Sequence, residues 1–516
     1  MLSMTLREKI GQMIMTGFPA CKITAELLEL ISEYKISNII LFSHNLENEQ
    51  QIYELCKTLD ETIREHINTP SFLSIDQEGG VVRRLPKEMN NIPGAMLIGA
   101  TGDKENAYRA GKITGEELKA LGINVDLAPV LDVNSNPDNP VIGVRSYSSN
   151  PDMVAGFGIS MMKGLQSAGV MPVVKHFPGH GDTAVDSHLG LPVIDKDIDQ
   201  LLKCELIPFR KAIEEGVPCV MSSHILFPKL DSQNRPATMS KSILTDLLRN
   251  RLGFQGIIMT DCMEMGAIKD NYGTAYGAVE AIKAGAQIVC ISHTPELVKE
   301  AIHQIEQAVE NGEIAVDWID AAVENILKYK NKYKNNYQNS NPEPLYSENY
   351  KSQIKEMVEA GITKVSGEEL PEVGDKTIFI SSYAYQSTLA SSAVNKQLHF
   401  ADYMAKEFHG TSIDVPVNPR KEDINKVLER TDSSSLIVYG LYNGHMNPGQ
   451  IKLVNALCAR GNPVIAITLR NPTDLSMLNQ GIHKIAAYEY NETVFKALIK
   501  VLRKEIKPAG KLPVEQ

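Results

Sequence analysis

Met171-Pro172-Val173-Val174-Lys175-His176-Phe177-Pro178-Gly179-His180-Gly181-Asp182-Thr183-Ala184-Val185-Asp186-Ser187-His188 joins a short apolar run to a dense set of ionisable groups. From Lys175 onward, fourteen residues hold three histidines, two aspartates and a lysine. An apolar run that empties into titratable side chains reads as a buried strand feeding an active-site loop. Pro178, Gly179 and Gly181 allow a compact backbone path, so the polar side chains can converge instead of alternating. Two chemistries fit these residues. The histidines and aspartates could ligate a metal. Alternatively, Asp186 and His188 form an acid–base pair, with Lys175 and His176 binding substrate oxygens.

On both sides of this stretch, up to about residue 330, short apolar strands alternate with amphipathic helical patterns. Eight strands are expected: Met13–Thr16, Asn38–Phe42, Phe72–Ile75, Val125–Ala128, Pro172–Val174, Pro218–Met221, Gly256–Thr260 and Gln287–Ile291. Helical stretches lie between them, among them Ile23–Tyr34, Glu47–Glu65, Glu105–Leu121, Asp152–Ala168 and Asp197–Glu215, then Ser240–Arg251, Thr274–Ala284 and Ala315–Tyr333. Parallel strands need such crossovers, so the pattern predicts an α/β fold with an N-terminal (β/α)₈ TIM-type barrel. Active sites of that fold form at the carboxyl ends of the strands. Asp76 follows the third strand, Lys175 and His176 the fifth, His224 the sixth, Asp261 the seventh and His293 the eighth. The repetition, more than any one residue, points to a common mouth.

Residues 334–350 are polar and rich in Asn and Pro, and read as a linker between a barrel over 1–333 and a smaller domain over 351–516. Strands at Thr377–Ile380, Ser435–Tyr439, Val464–Leu469 and Lys484–Tyr488, with helices near Lys421–Leu428, Pro448–Arg460 and Glu492–Lys504, predict a three-layer α/β sandwich. That second domain carries no glycine-rich fingerprint and no catalytic cluster, so it is expected to pack against the barrel or shape its site.

A net charge of −11 without a concentrated Lys/Arg block argues against a nucleic-acid partner. The seven cysteines are scattered, odd in number and free of C-x-x-C spacing, a pattern of reduced thiols in a cytoplasmic protein. No apolar run of about 18 residues suggests a membrane span, and the N-terminus lacks the charged and apolar regions of a secretion signal.

Asp261 ends the run Gly256-Ile257-Ile258-Met259-Thr260-Asp261-Cys262. A carboxylate there, facing a barrel mouth with cations nearby, suits attack on a sugar's anomeric carbon. The leaving group then needs a proton, which His188 is suited to supply because its ordinary pKa of about 6.5 lets it give and take one near neutrality. Asp186, two residues earlier, could hold the other ring nitrogen and fix the tautomer.

Lys175–His188 resembles the K-H-F-P-G-H-G-x-T-x-x-D-S-H signature of the β-N-acetylglucosaminidase branch of glycoside hydrolase family 3. Asp76-Gln77-Glu78-Gly79-Gly80-Val81-Val82-Arg83-Arg84 is similar to that family's D-Q-E-G-G-x-V-x-R segment, and Val141-Ile142-Gly143-Val144-Arg145-Ser146-Tyr147 to its fourth-strand loop. Lys507-Pro508-Ala509-Gly510-Lys511-Leu512-Pro513-Val514 is similar to the close of the second domain. The resemblance implies a retaining mechanism through a glycosyl-Asp261 intermediate, with His188 as acid then base and Asp186 as its orienter. It implies that Asp76, Arg84, Arg145, Lys175 and His176 bind the hydroxyls of N-acetylglucosamine. Small carbohydrates, with cell-wall GlcNAc–MurNAc fragments foremost, are the implied substrates, and no metal or cofactor is implied. The sequence departs from the branch at Cys262, where a second acidic residue is common, and at Ala184 and Val185 in the loop. Two alternatives accompany this reading. One is release of the sugar to phosphate instead of water by an enzyme of the same fold. The other is a metal-dependent barrel hydrolase using His176, His180, Asp182, Asp186 and His188 as ligands.

Overall fold

The computed structural model describes residues 4–187, 190–337, 345 and 347–515. Eight parallel strands close in chain order: β1 (Ile14–Thr16), β2 (Asn38–Leu41), β3 (Phe72–Ile75), β4 (Val125–Asp126), β5 (Met171–Phe177), β6 (Cys219–Ser222), β7 (Ile257–Cys262) and β8 (Ile288–Cys290). Closure is visible at Met15, which pairs with Asn38 of β2 on one side and with Cys290 of β8 on the other. Every residue of these strands is buried except Asp261 and Cys262. Strands buried on all sides read as continuous apolar runs, which is why they stand out in the sequence.

Helices wrap the barrel through an apolar stripe. In Glu49–Ile67 the buried residues Ile52, Leu55, Cys56, Leu59, Ile63 and Ile67 recur every three or four positions. Asn48 caps its start by accepting from the Gln51 N–H, and Asn68 ends it in the left-handed conformation at φ 58°. The stretch expected as one helix over Asp197–Glu215 is two, Ile198–Lys203 and Leu206–Glu214. The break falls at Cys204, whose carbonyl Pro208 cannot bond and would crowd.

Two expected strands stop short of residues that the structure includes. β5 runs through Lys175 and His176 to Phe177, and β7 runs through Asp261 to Cys262. Both extensions follow an irregularity in register, between Val174 and Phe177 and between Met259 and Cys262. A bulge of this kind re-aims side chains near an active site.

The second sheet orders its strands β11 (Thr411–Asp414), β10 (Ile378–Ser381), β12 (Ile437–Leu441), β13 (Val464–Thr468), β14 (His483–Ala486) and β9 (Thr363–Ser366). All pairs are parallel except β9 with β14. Helices Phe400–Phe408 and Pro448–Ala459 pack against this sheet, and Glu492–Leu502 packs against Phe400–Phe408 and against Glu348–Gly361. The two edge strands, β9 and β11, were not expected, nor was helix Glu348–Gly361, which begins inside the stretch read as a linker. Residues 338–344 and 346 of that stretch lie outside the described residues. The barrel meets this second unit through an apolar seam, since Met96, Leu97 and Ala100 of helix Ala95–Ala100 belong to its core.

Candidate active site

Where the barrel strands end, a cavity of about 610 Å³ opens, lined by Asp76, Glu78, Arg84, Arg145, Lys175, His176, His180, Ser187 and Asp261 together with residues 386 and 389–393 of the second unit. The partly exposed end of β7 therefore faces this space.

The same cavity holds a ladder of alternating charge. Lys175 Nζ lies 2.7 Å from Asp76 Oδ1 and 2.7 Å from Glu78 Oε1. Glu78 also takes a two-pronged bond from Arg145, Nε to Oε2 at 2.9 Å and Nη2 to Oε1 at 2.8 Å. Burial would push the Glu78 carboxyl up, but Arg145 and Lys175 outweigh it and hold the group below the ordinary carboxylate range. In return Asp76 and Glu78 overcome burial and keep Lys175 protonated, and Glu78, seconded by Asp132, does the same for Arg145. Asp76, with its side chain 20% exposed against 6% for Glu78, is the carboxylate of the pair with surface to offer a ligand.

His176 is held by Asp132, a fully buried residue after β4. Its Nδ1 lies 2.6 Å from Asp132 Oδ2, while the backbone N–H groups of His176 and His180 donate to Oδ1 at 3.2 and 2.7 Å. Burial raises the Asp132 carboxyl, but the His176 interaction outweighs it and keeps the group ionised. An ionised carboxylate accepts, so Nδ1 carries the proton and Nε2 is the nitrogen left for other contacts.

The loop after β5 is fixed by bonds within itself. His180 Nδ1 meets Thr183 Oγ1 at 2.9 Å and Nε2 meets Ser187 Oγ at 3.0 Å. Burial, seconded by His176, pushes the His180 pKa down to about 4, so the ring is neutral in this role. Asn139 Nδ2 donates to the His180 carbonyl at 2.9 Å, and Asp182 pairs with Lys196 at 2.8 Å. Gly181 is required by space: a Cβ there would sit 1.6 Å from the Val133 carbonyl oxygen. Asp186 is buried at the far end of this loop, where its carbonyl accepts the Gly190 N–H at 3.0 Å. His188 lies outside the described residues.

At Asp261, Oδ1 accepts the Cys262 N–H at 2.7 Å. His224 Nε2 donates to the Cys262 carbonyl at 2.9 Å, so this histidine fixes the backbone beside the carboxylate. Glu264 ties the following loop to the end of β8 by accepting from the N–H groups of His293 and Thr294. Arg84 reaches across to the second unit, donating through Nη2 to the Ala390 carbonyl at 2.9 Å and through Nη1 to Ser392 Oγ at 3.2 Å.

The sequence-expected residues Asp76, Arg84, Arg145, Lys175, His176 and Asp261 thus line one cavity. Glu78 and Asp132 were missed. Glu78 sits inside the quoted Asp76–Arg84 segment, and the need of buried Arg145 and Lys175 for a shared anion was the signal for it. Nothing in the sequence marked Asp132. Among the described residues no group of three or more His, Cys, Asp or Glu is placed to hold a metal. No described helix is long and apolar enough to cross a membrane.

Residues 5–329 match the model of the glycosyl hydrolase family 3 N-terminal domain. The chain is 40% identical over 329 residues to beta-hexosaminidase A of Pseudoalteromonas piscicida, covering 60% of this chain and 55% of that protein, so it spans about half the length of that relative. It is 32% identical over 314 residues to a beta-hexosaminidase of Neisseria meningitidis serogroup C, covering 59% of this chain and 84% of the relative. A solved family 3 beta-N-acetylglucosaminidase from Paenibacillus sp. strain FPU-7 superposes with a TM-score of 0.91 at 35% identity, over 99% of both chains.

Proposed function

The chain belongs to glycosyl hydrolase family 3 and is a glycoside hydrolase, and on that premise we propose that it is a retaining β-N-acetylglucosaminidase. The observation that carries the reading is Asp261: the barrel's burial opens there, and its carboxylate shares one cavity with the Asp76–Lys175–Glu78–Arg145 ladder. Its carboxylate attacks the anomeric carbon while His188 gives a proton to the departing oxygen. His188 then takes a proton from water, which displaces the sugar from Asp261. Asp186 orients the imidazole. Asp76 accepts from sugar hydroxyls, while Lys175, Arg145, Arg84 and His176 complete the sugar-binding surface.

The domain division of the proposal is a catalytic barrel over 1–333, a linker over 334–350 and an α/β sandwich over 351–516. Its substrates are terminal β-linked GlcNAc residues, GlcNAc–MurNAc fragments of cell-wall recycling in the cytoplasm foremost; the named activities of the relatives support the GlcNAc part. A panel of β-glycosides compared by kcat/KM, with GlcNAc, glucose and muropeptide substrates side by side, tests it. A preference for glucosides over GlcNAc glycosides would overturn the sugar assignment. Dependence of turnover on added phosphate would overturn hydrolysis.

A further inference from the structure

Two thiols stand beside Asp261. Strands β7 and β8 pair so that Cys262 lies opposite Cys290. Neighbouring strands run about 4.8 Å apart with paired side chains on one face, inside the roughly 4.4–6.8 Å that a disulfide spans between Cα atoms. Both residues line the cavity. Both sulfurs also converge on one hydroxyl: Cys290 Sγ lies 3.2 Å from Ser292 Oγ, and the Cys262 thiol bonds the same side chain. All seven cysteines of the chain are free.

We propose that Cys262 and Cys290 form a vicinal dithiol that a small disulfide entering the cavity closes into a Cys262–Cys290 disulfide, and that closure shuts off hydrolysis. The Cys262 thiolate attacks one sulfur of the reagent RSSR, forming a mixed disulfide and releasing one RS⁻, which takes up the proton that Cys262 lost. The Cys290 thiolate then attacks the Cys262 sulfur and expels the second thiol. Two electrons pass from the protein to the reagent, and two RSH leave. Closure draws both sulfurs off Ser292 and shifts the Cys262 backbone. That backbone donates its N–H to Asp261 Oδ1 and its carbonyl accepts from His224, so the carboxylate moves with it. A displacement of about 1 Å at a reacting group can cost on the order of 10²-fold in rate.

Burial pushes the Cys262 thiol up to about 11, and burial with Cys262 beside it raises Cys290 further; the facing Asp261 and Asp76 carboxylates add to the effect. Both thiols are therefore neutral at pH 7. Closure needs a thiolate, so its rate should climb roughly tenfold per pH unit between about pH 7 and 9.

The test treats the full chain with 2-hydroxyethyl disulfide and follows aryl β-GlcNAc hydrolysis alongside peptide mapping. The activity arm rests on the proposed function; the mapping arm does not, so the two can fail separately. The expected result is a Cys262–Cys290 crosslink with loss of two hydrogens and no retained adduct. Activity should fall at least tenfold in step with the crosslink, and dithiothreitol should restore it. Cys290→Ser should instead retain one mixed-disulfide adduct, at Cys262. Seven intact thiols after treatment, a crosslink between other cysteines, or a crosslinked enzyme with undiminished kcat would each overturn the proposal.

Discussion

At Glu78 a single carboxylate, with its side chain 6% exposed, meets both Arg145 and Lys175. Removing one partner from a buried ion cluster costs about 3–5 kcal/mol, because the remaining charges keep their desolvation penalty and lose their counter-ion. Glu78→Gln should therefore destabilise the fold by about 3 kcal/mol at pH 7. The carboxyl lies below its unfolded value when folded. Its contribution is thus fully present above the unfolded pKa of about 4.3 and is lost as pH falls towards the folded one. Urea unfolding from pH 7 down to pH 3 should show the wild-type advantage shrinking below about pH 4.3; a constant gap between the two proteins across that range would contradict the assignment. Asp261→Ala removes a partly exposed carboxylate at the end of a strand and should leave the fold intact while abolishing turnover. A folded variant with substantial activity on every β-GlcNAc substrate would remove Asp261 from its role. His188→Ala should lose roughly 10²–10⁴-fold on substrates with poor leaving groups and far less on activated aryl glycosides, which need no proton. An equal loss across leaving groups would reduce His188 to a residue that shapes the loop.

Between elements, the contact that matters most for the cavity joins segment 79–84 after β3 to loop 386–393 after β10. Ser392 N–H donates to the Val81 carbonyl at 2.8 Å, and its Oγ accepts from the Arg83 N–H at 2.9 Å and from Arg84 Nη1 at 3.2 Å. The same hydroxyl donates to the Arg83 carbonyl, so Ser392→Ala cuts three hydroxyl bonds but keeps the backbone one. A hydrogen bond to a charged group contributes about 1.5–3 kcal/mol, so kcat/KM should fall about tenfold, through KM, with little change in thermal stability. Steady-state kinetics with melting curves check it; a fall in Tm without a change in KM would make Ser392 a packing residue alone. This contact was not legible in the sequence, and the reason is physical. The barrel strands and β10, β12 and β13 are buried apolar runs with a clear signature. Edge strands β9 (Thr363-Lys364-Val365-Ser366) and β11 (Thr411-Ser412-Ile413-Asp414) bury little and alternate weakly, so pattern alone passes over them. Loop 386–393 has no periodicity, and its meeting with Arg84 exists in tertiary structure alone. By contrast, Asp76, Lys175, His176 and Asp261 were legible because each stands at or just beyond the end of an apolar run.

Across the whole molecule, the support of the site loops back through the chain's last residues. Lys511 N–H donates to the Ala100 carbonyl at 2.8 Å, and the Pro513 carbonyl accepts from the Ser149 N–H at 3.1 Å and from Ser148 Oγ. The Ser148 carbonyl in turn accepts the Asn134 N–H at 3.0 Å and Ser146 Oγ at 3.0 Å, while Ser146 Oγ also reaches the Asp132 carbonyl at 2.6 Å. Asp132 is the residue that holds His176 and His180. Residues 511–515 are therefore connected to two cavity histidines through one continuous set of bonds, although they lie far from them in sequence. Ending the chain at Gly510 removes the Lys511 and Pro513 bonds and the one that the Glu515 N–H donates to Ser149 Oγ at 3.1 Å; at about 1 kcal/mol each, the loss of four amounts to about 4 kcal/mol. It also frees the 132–148 segment, so kcat/KM should drop several-fold beyond the loss of stability. Ser148→Ala, which cuts one bond to Pro513 and leaves the tail in place, should show the same kinetic direction with a smaller fall in Tm. If both proteins fold and keep wild-type kcat/KM, the tail packs the two units together without reaching Asp132, and the bonds from Pro513 to Ser148 end at the surface they cover.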